Sequence, residues 1–295
     1  PLDVDAHHAL AREVAGRSIV LLRNEGALLP LAPSLRVAVI GEFARTPRFQ
    51  GAGSSLINPT RLDTAIEEIT ALAEGDVAFA VGFTTAPDAG GDEVAQLRDE
   101  AVAVAADAEA VVLFVGLPAR LESEGFDRAD IDLPADQLAL VDAVVAANPN
   151  TVVVLSHGGT VALPFRDRVP AILDASLLGQ AGGGATADVV YGVVNPSAKL
   201  TETVPLRIED APSFGSFPGE LGHVRYGEGI LVGYRGYDAR GLDVAYPFGH
   251  GLSYTSFAYA DAATSVTADG DLEVRVTVTN TGDRDGREIV QVDTG

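Results

Sequence analysis

The sequence predicts a doubly wound α/β sandwich, a mostly parallel sheet with helices on both faces, followed by a partial β-sandwich segment. Two observations carry this expectation. Short apolar, β-branched runs recur along the first two thirds of the chain and alternate with helix-like stretches, the pattern of right-handed βαβ crossovers around a buried sheet. From Phe257 onward the pattern becomes a strict alternation of apolar and polar residues, which describes strands with one wet face.

In chain order, residues 6–22 carry apolar side chains at helical spacing (Leu10, Val14, Ile19, Leu22), with Asn24-Glu-Gly26 as a stop. Arg36-Val-Ala-Val-Ile-Gly41 reads as the first buried strand, and Phe49-Gln-Gly-Ala-Gly-Ser-Ser55 after it as a glycine-rich loop. Residues 62–72 look helical, 77–81 extended and 92–107 helical. Residues 110–117 form another buried strand. Pro134 opens a helix over 135–147 that Asn148-Pro149 ends. Strands over 151–155 and 171–175 follow, and Gly182-Gly-Gly184 opens onto a helix over 185–191.

We assign residues 1–204 to the α/β unit. Residues 205–255, rich in Pro and Gly and without clear periodicity, read as a surface-wrapping segment of the same domain with short hairpins. Residues 256–295 read as the start of a β domain. Its strands, 272–278 and 288–292, are split by the turn Asn280-Thr-Gly-Asp-Arg-Asp-Gly286. About three strands cannot close a sandwich that needs about seven.

With 295 residues the chain has ample length for a real core. Its net charge of −22 argues against nucleic acid or an anionic membrane as partner, and no apolar run suits a bilayer. The absence of Cys excludes disulfides and thiolate metal sites and leaves the compartment, cytoplasmic or secreted, undecided. The start at Pro1 and the lack of Met read as an excised or processed piece.

The chemistry points to one loop. Glu122-Ser-Glu-Gly-Phe-Asp-Arg128, continuing to Pro134, leaves the end of the strand at 110–117, where open α/β sheets place functional groups. Glycoside hydrolysis uses two carboxyl groups, one kept protonated to donate to the leaving oxygen. Glu124 and Glu122 both suit that proton donor, and on an extended segment they share one side, so the residues alone do not choose between them. Gly51-Ala-Gly53 lacks the third glycine of a dinucleotide fingerprint, since Leu56 stands there; Ser54 and Ser55 suit the recognition of sugar hydroxyls. His157-Gly-Gly159 is like an esterase oxyanion loop without its nucleophile elbow and reads as a tight turn. His7 and His8 are adjacent rather than four apart, and His250 lies between glycines; we expect no metal and no cofactor.

These residues carry a resemblance. Ser18-Ile-Val-Leu-Leu-Arg-Asn-Glu-Gly26, Gly51-Ala-Gly-Ser-Ser55, Glu122-Ser-Glu-Gly-Phe-Asp-Arg128, Gly179-Gln-Ala-Gly-Gly-Gly184 and Tyr246-Pro-Phe-Gly-His-Gly-Leu-Ser-Tyr254 are similar to the second domain of glycoside hydrolase family 3, the β-glucosidases and their relatives. The resemblance implies a retaining, exo-acting glycosidase acting on a β-glucoside or oligosaccharide. It also implies an aspartate nucleophile on a separate barrel domain that this chain lacks, so that the chain by itself is inactive. It assigns the acid/base role to Glu124 and a sugar contact to Ser54, and leaves Glu122, Asp127 and Arg128 as loop-shaping or alternative residues. Residues from 257 on resemble the start of a fibronectin-type-III-like domain. The alternative is a non-catalytic carbohydrate-binding or accessory domain.

Overall fold

The computed structural model describes residues 2–293. Helix α1 (Val4–Ser18) is followed by β1 (Val20–Asn24), β2 (Val37–Ile40), α2 (Glu42–Arg45), α3 (Ala65–Leu72), β3 (Val77–Ala80), α4 (Gly91–Asp107) and β4 (Ala110–Gly116). Then come α5 (Ala135–Ala147), β5 (Thr151–Ser156), β6 (Ala171–Asp174), α6 (Gly182–Val190), β7 (Val204–Pro205), α7 (Tyr234–Arg240), β8 (Val244–Tyr246), β9 (Phe257–Val266) and β10 (Leu272–Asn280).

The main sheet has six strands in the order β1-β6-β5-β4-β2-β3. From β3 to β6 every pairing is parallel; β1 joins the far edge antiparallel to β6. Composition explains which strands sit centrally. All of β4 and β5 is buried, whereas edge strand β3 is only partly so. Each Val or Leu buried in those central strands contributes about 1.5–3 kcal/mol relative to exposure. Helices α1 and α3 pack on α6, and α4 packs on α5. The predicted α/β architecture is therefore the one observed.

The order of the parallel strands creates one topological switch. The chain leaves β2, pairs β3 on one side of it and β4 on the other. The loops after β2 and β4 consequently depart in opposite directions and open a crevice at their carboxyl ends, where such sheets bind ligands.

Three expectations need correction. The helix predicted over 6–22 ends at Ser18, and Val20–Asn24 is a strand. The supposed apolar stripe is not one: Leu10 and Val14 are 57 % and 55 % exposed, whereas Ile19 to Leu22 are buried. Helix α1 instead faces the core with His8, Ala15 and Gly16. A continuous apolar run four residues long fits a strand covered on both faces better than one helical stripe. The strand at 36–41 is thus the second in the chain.

The strand predicted at 288–292 does not form. Ile289, Val290 and Val292 are 52 %, 40 % and 54 % exposed. Alternation supplies strand propensity but not a partner, and the terminal sheet consists of β9 and β10 alone, joined through residues 267–271.

Within 205–255, residues 234–240 are helical, a feature the loop-like composition hid. The rest returns to the sheet edge. Leu252 N–H donates to Leu21 C=O at 2.8 Å, and the His250 ring bonds Leu22 C=O at 2.7 Å. Tyr254 Oη donates to Val189 C=O at 2.8 Å. No helix among the described residues is long and apolar enough to cross a membrane.

Candidate active site

Two loops face each other across the crevice. The first follows β2 through Gly41 and α2 and contains residues 48–55. The second runs from the end of β4 to α5 and contains the predicted acidic residues. Around Glu124 they meet at Ala52 and Ser54. Glu124 N–H donates to Ala52 C=O at 3.4 Å, and the Glu124 carboxylate accepts from Ser54 N–H at 2.7 Å and from the Ser54 hydroxyl. Gly53, at φ +91°, leaves room for this approach; a Cβ there would stand 2.6 Å from Glu124 Cβ. The structure therefore brings Ser54 and Glu124 together, with both residues exposed. Ser54's hydroxyl, followed by its N–H, holds the Glu124 carboxyl below the ordinary glutamate range.

Glu122 has a different environment. Its carboxylate accepts from Gly158 N–H at 2.6 Å and Gly159 N–H at 2.8 Å. Arg48 lies 3.6 Å and Arg128 3.7 Å from its oxygens. The two N–H groups of the His157-Gly-Gly159 turn do form an oxyanion cradle, but its occupant is Glu122. A carboxylate with both oxygens engaged in this way is a structural anchor. Arg128 extends the anchor, donating from Nη1 to Gly159 C=O at 3.3 Å and Thr160 C=O at 3.0 Å. Asp127 is exposed.

The residue that sequence reading missed is Arg48. It donates from Nε to Leu117 C=O at 3.1 Å, from Nη1 to Gln50 C=O and from Nη2 to Glu122 C=O at 2.9 Å. One side chain, 8 % exposed, thus joins the glycine loop to the acidic loop. Burial lowers its pKa, with the charge of Glu122 opposing that effect. No local signal marks it: Thr46-Pro-Arg-Phe-Gln50 has the composition of an ordinary surface turn.

Beneath the acidic loop lies a buried pair, His157 Nε2 to Asp174 Oδ1 at 3.4 Å. Burial opposes charge on His157, yet the bond and charge of Asp174, aided by Glu202 and Glu122, raise its pKa overall. Burial likewise works against Asp174, but His157 and the Ser176 hydroxyl and N–H lower its pKa. The signs then fix a pH window. The contribution from His157 is full below about pH 6.5 and fades as pH rises through its higher native value. That from Asp174 is full above about pH 3.9 and fades as pH falls through its lower native value. Both describe one pair, so it stabilises most between about pH 4 and 6.5. Urea midpoints measured across pH 5–9 will fall with rising pH in the native sequence, and His157→Gln will flatten that decline.

The other histidines do not build a site. His8 is buried, with Nε2 2.9 Å from Asp63 Oδ2 and Nδ1 2.9 Å from Gln180. Among the described residues no three His, Asp or Glu side chains come together in a way that could hold a metal ion.

The crevice, its glycine loop and its acidic loop fall within residues 19–254, which match the family model described as glycosyl hydrolase family 3 C-terminal domain. The chain belongs to glycosyl hydrolase family 3. Over 98 % of its length it is 48 % identical to an exo-α-(1→6)-L-arabinopyranosidase of Bifidobacterium longum and 47 % identical to thermostable β-glucosidase B of Acetivibrio thermocellus. It spans only 39 % of each of those proteins. The crystal structure of a family 3 β-glucosidase from Bifidobacterium adolescentis superposes with a TM-score of 0.92 at 48 % identity, covering 97 % of this chain and 42 % of that one. These relatives are glycoside hydrolases, so the family to which the chain belongs is a hydrolase family.

Proposed function

We propose that this chain is the acid/base-bearing domain of a retaining, exo-acting β-glycosidase, with Glu124 as the acid/base and the nucleophile on a barrel domain elsewhere in the polypeptide. The observation that carries the reading is the contrast between the two glutamates. Glu122 spends both oxygens on the 158–159 turn, whereas Glu124 is exposed and its carboxylate is held by Ser54. Only a carboxyl free to approach a glycosidic oxygen can donate a proton to it.

In the first step a carboxylate on the barrel attacks C1, and the C1–O bond breaks. Glu124 gives its proton to the departing oxygen. In the second step water attacks C1 of the glycosyl ester, Glu124 takes the water's proton and the nucleophile leaves as a carboxylate. Glu124 ends protonated, ready for another cycle. Ser54, on the same edge, would exchange its bond to Glu124 for one to a sugar hydroxyl as the substrate enters.

The sugar itself is selected outside this chain in our reading. The two relatives that match about equally are named for different sugars, an α-linked L-arabinopyranosyl group and a β-glucoside. A domain common to both suits a shared role such as proton transfer.

Hydrolysis of aryl β-glucosides and aryl α-L-arabinopyranosides should be compared for this chain alone and for the chain joined to its native flanks. We expect turnover only from the joined form. Turnover by the chain alone would put a second catalytic carboxylate inside it and overturn the shared-site reading; silence from both forms would favour a non-catalytic carbohydrate-binding domain, tested by calorimetric titration with glucose or cellobiose.

A further inference from the structure

We infer that Arg48 and Glu122 are positioning residues for Glu124: together they tie the acidic loop to its two neighbouring loops and so set where the Glu124 carboxylate stands. This inference rests on the acid/base reading of Glu124. Residues 117–134, between β4 and α5, contain no helix or strand. A connection of that length holds one conformation only if something other than its own backbone ladder fixes it. Glu124 itself has little to offer, since its attachments are the long bond to Ala52 and the contact with Ser54.

The fixing points sit two residues away on each side of the crevice. Arg48 reaches Glu122 C=O, two positions before Glu124, and Gln50 C=O, two positions before Ala52. It therefore sets the spacing of the two loops where Ala52 and Glu124 meet. Its third bond, to Leu117 C=O, holds the first residue after β4. Glu122 makes the second tie. Its carboxylate pins the loop to the N–H groups of Gly158 and Gly159, which follow β5, and Arg128 adds bonds to Gly159 C=O and Thr160 C=O at the same junction.

Three loops that leave adjacent parallel strands are thus cross-linked through one carboxylate and two guanidinium groups. The side chains of Arg48, Glu122 and Arg128 are 8 %, 16 % and 21 % exposed. Charge-assisted bonds shielded from water in this way are stronger and more directional than those of surface pairs. They suit a group whose misplacement by about 1 Å can cost on the order of 10²-fold in rate.

The test separates positioning from mere support of the fold. In the full-length protein, kcat/KM is measured for aryl glycosides whose leaving phenols span a wide pKa range. A displaced proton donor harms poor leaving groups, which need protonation, and spares good ones, which do not. For Glu122→Gln we expect a loss of about 10²-fold with an unactivated phenol and less than about 3-fold with a dinitrophenol. Glu122→Asp keeps the charge and should recover part of the loss. Arg48→Lys, which keeps charge but cannot make all three carbonyl bonds, should give the same pattern.

A second readout needs no catalysis. Carboxyl-carbon NMR of this chain follows the Glu124 titration, which should move up toward the ordinary glutamate range in Glu122→Gln as the Ser54 contact loosens. An equal loss across all leaving groups, or none, together with an unmoved Glu124 titration, would overturn the inference. Should Glu122→Gln fail to fold, Glu122→Asp and Arg48→Lys carry both readouts. Glu124→Ala runs as the control. If it shows no dependence on leaving group, the acid/base reading fails by itself, and the NMR titration alone decides whether Arg48 and Glu122 position Glu124.

Discussion

Glu124→Ala, made in a polypeptide that includes the barrel, slows turnover of substrates with poor leaving groups by about 10²–10⁴-fold, the range a general acid contributes. Substrates with activated leaving groups still form the glycosyl ester and then stall, because water loses its general base. Added azide, an anion that needs no deprotonation, restores turnover and yields a glycosyl azide of retained configuration. The wild-type pH profile supplies a second check. In this chain Ser54 keeps Glu124 below the ordinary glutamate range, so a proton donor at neutral pH requires that this contact be released and that the carboxyl lose water or face a like charge. A sugar entering the crevice and a nucleophile carboxylate across it supply both. The basic limb of the profile should therefore lie higher than the Glu124 titration measured in the isolated domain. Azide rescue of Glu122→Ala but not of Glu124→Ala would reverse the assignment.

The parts of this molecule legible from its sequence are those set by local pattern. The runs at 110–117 and 151–155 announce buried strands because every residue is apolar or small, and both strands form with all residues buried. Helix α5 lies between its Pro and Asn-Pro boundaries as predicted. Strand β1 is hidden in the sequence because the apolar run Ile19–Leu22 follows a helix closely enough to extend its count. The acidic loop was legible as a functional candidate, but the choice between Glu122 and Glu124 was not. It depends on N–H groups 36 and 37 residues away, at Gly158 and Gly159. Arg48 was invisible for the same reason, since two of its carbonyl partners lie 69 and 74 residues along the chain. Periodicity encodes which face of an element is buried; it does not encode which side chain will bridge two loops.

That dependence on tertiary placement makes the strand ends beneath the site unusually sensitive. Gly116 closes β4 where the acidic loop begins, paired with Ser156 at the end of β5. A Cβ on Gly116 would overlap the Ser156 carbonyl oxygen and lie 2.7 Å from its carbon and 3.0 Å from its Cα. All three atoms belong to the backbone of a fully buried strand, so no side chain can rotate to relieve the clash. Gly116→Ala must instead separate the carboxyl ends of β4 and β5, or tilt the peptide whose N–H bonds Gln137 Oε1 at 2.8 Å. Overpacking of a tight interior costs about 1–3 kcal/mol and occasionally more, and here backbone is the obstacle, so we expect at least about 3 kcal/mol. For a domain of this size that corresponds to a Tm lower by roughly 6–12 °C, measurable by calorimetry on this chain alone. The functional loss should exceed what the stability loss explains at temperatures where the variant is still folded. Separating β4 from β5 pulls Glu122 away from Gly158 and Gly159, and the acidic loop loses the junction on which Glu124 depends. A Tm within about 1 °C of the parent would show that the two strand ends have more freedom than this packing allows.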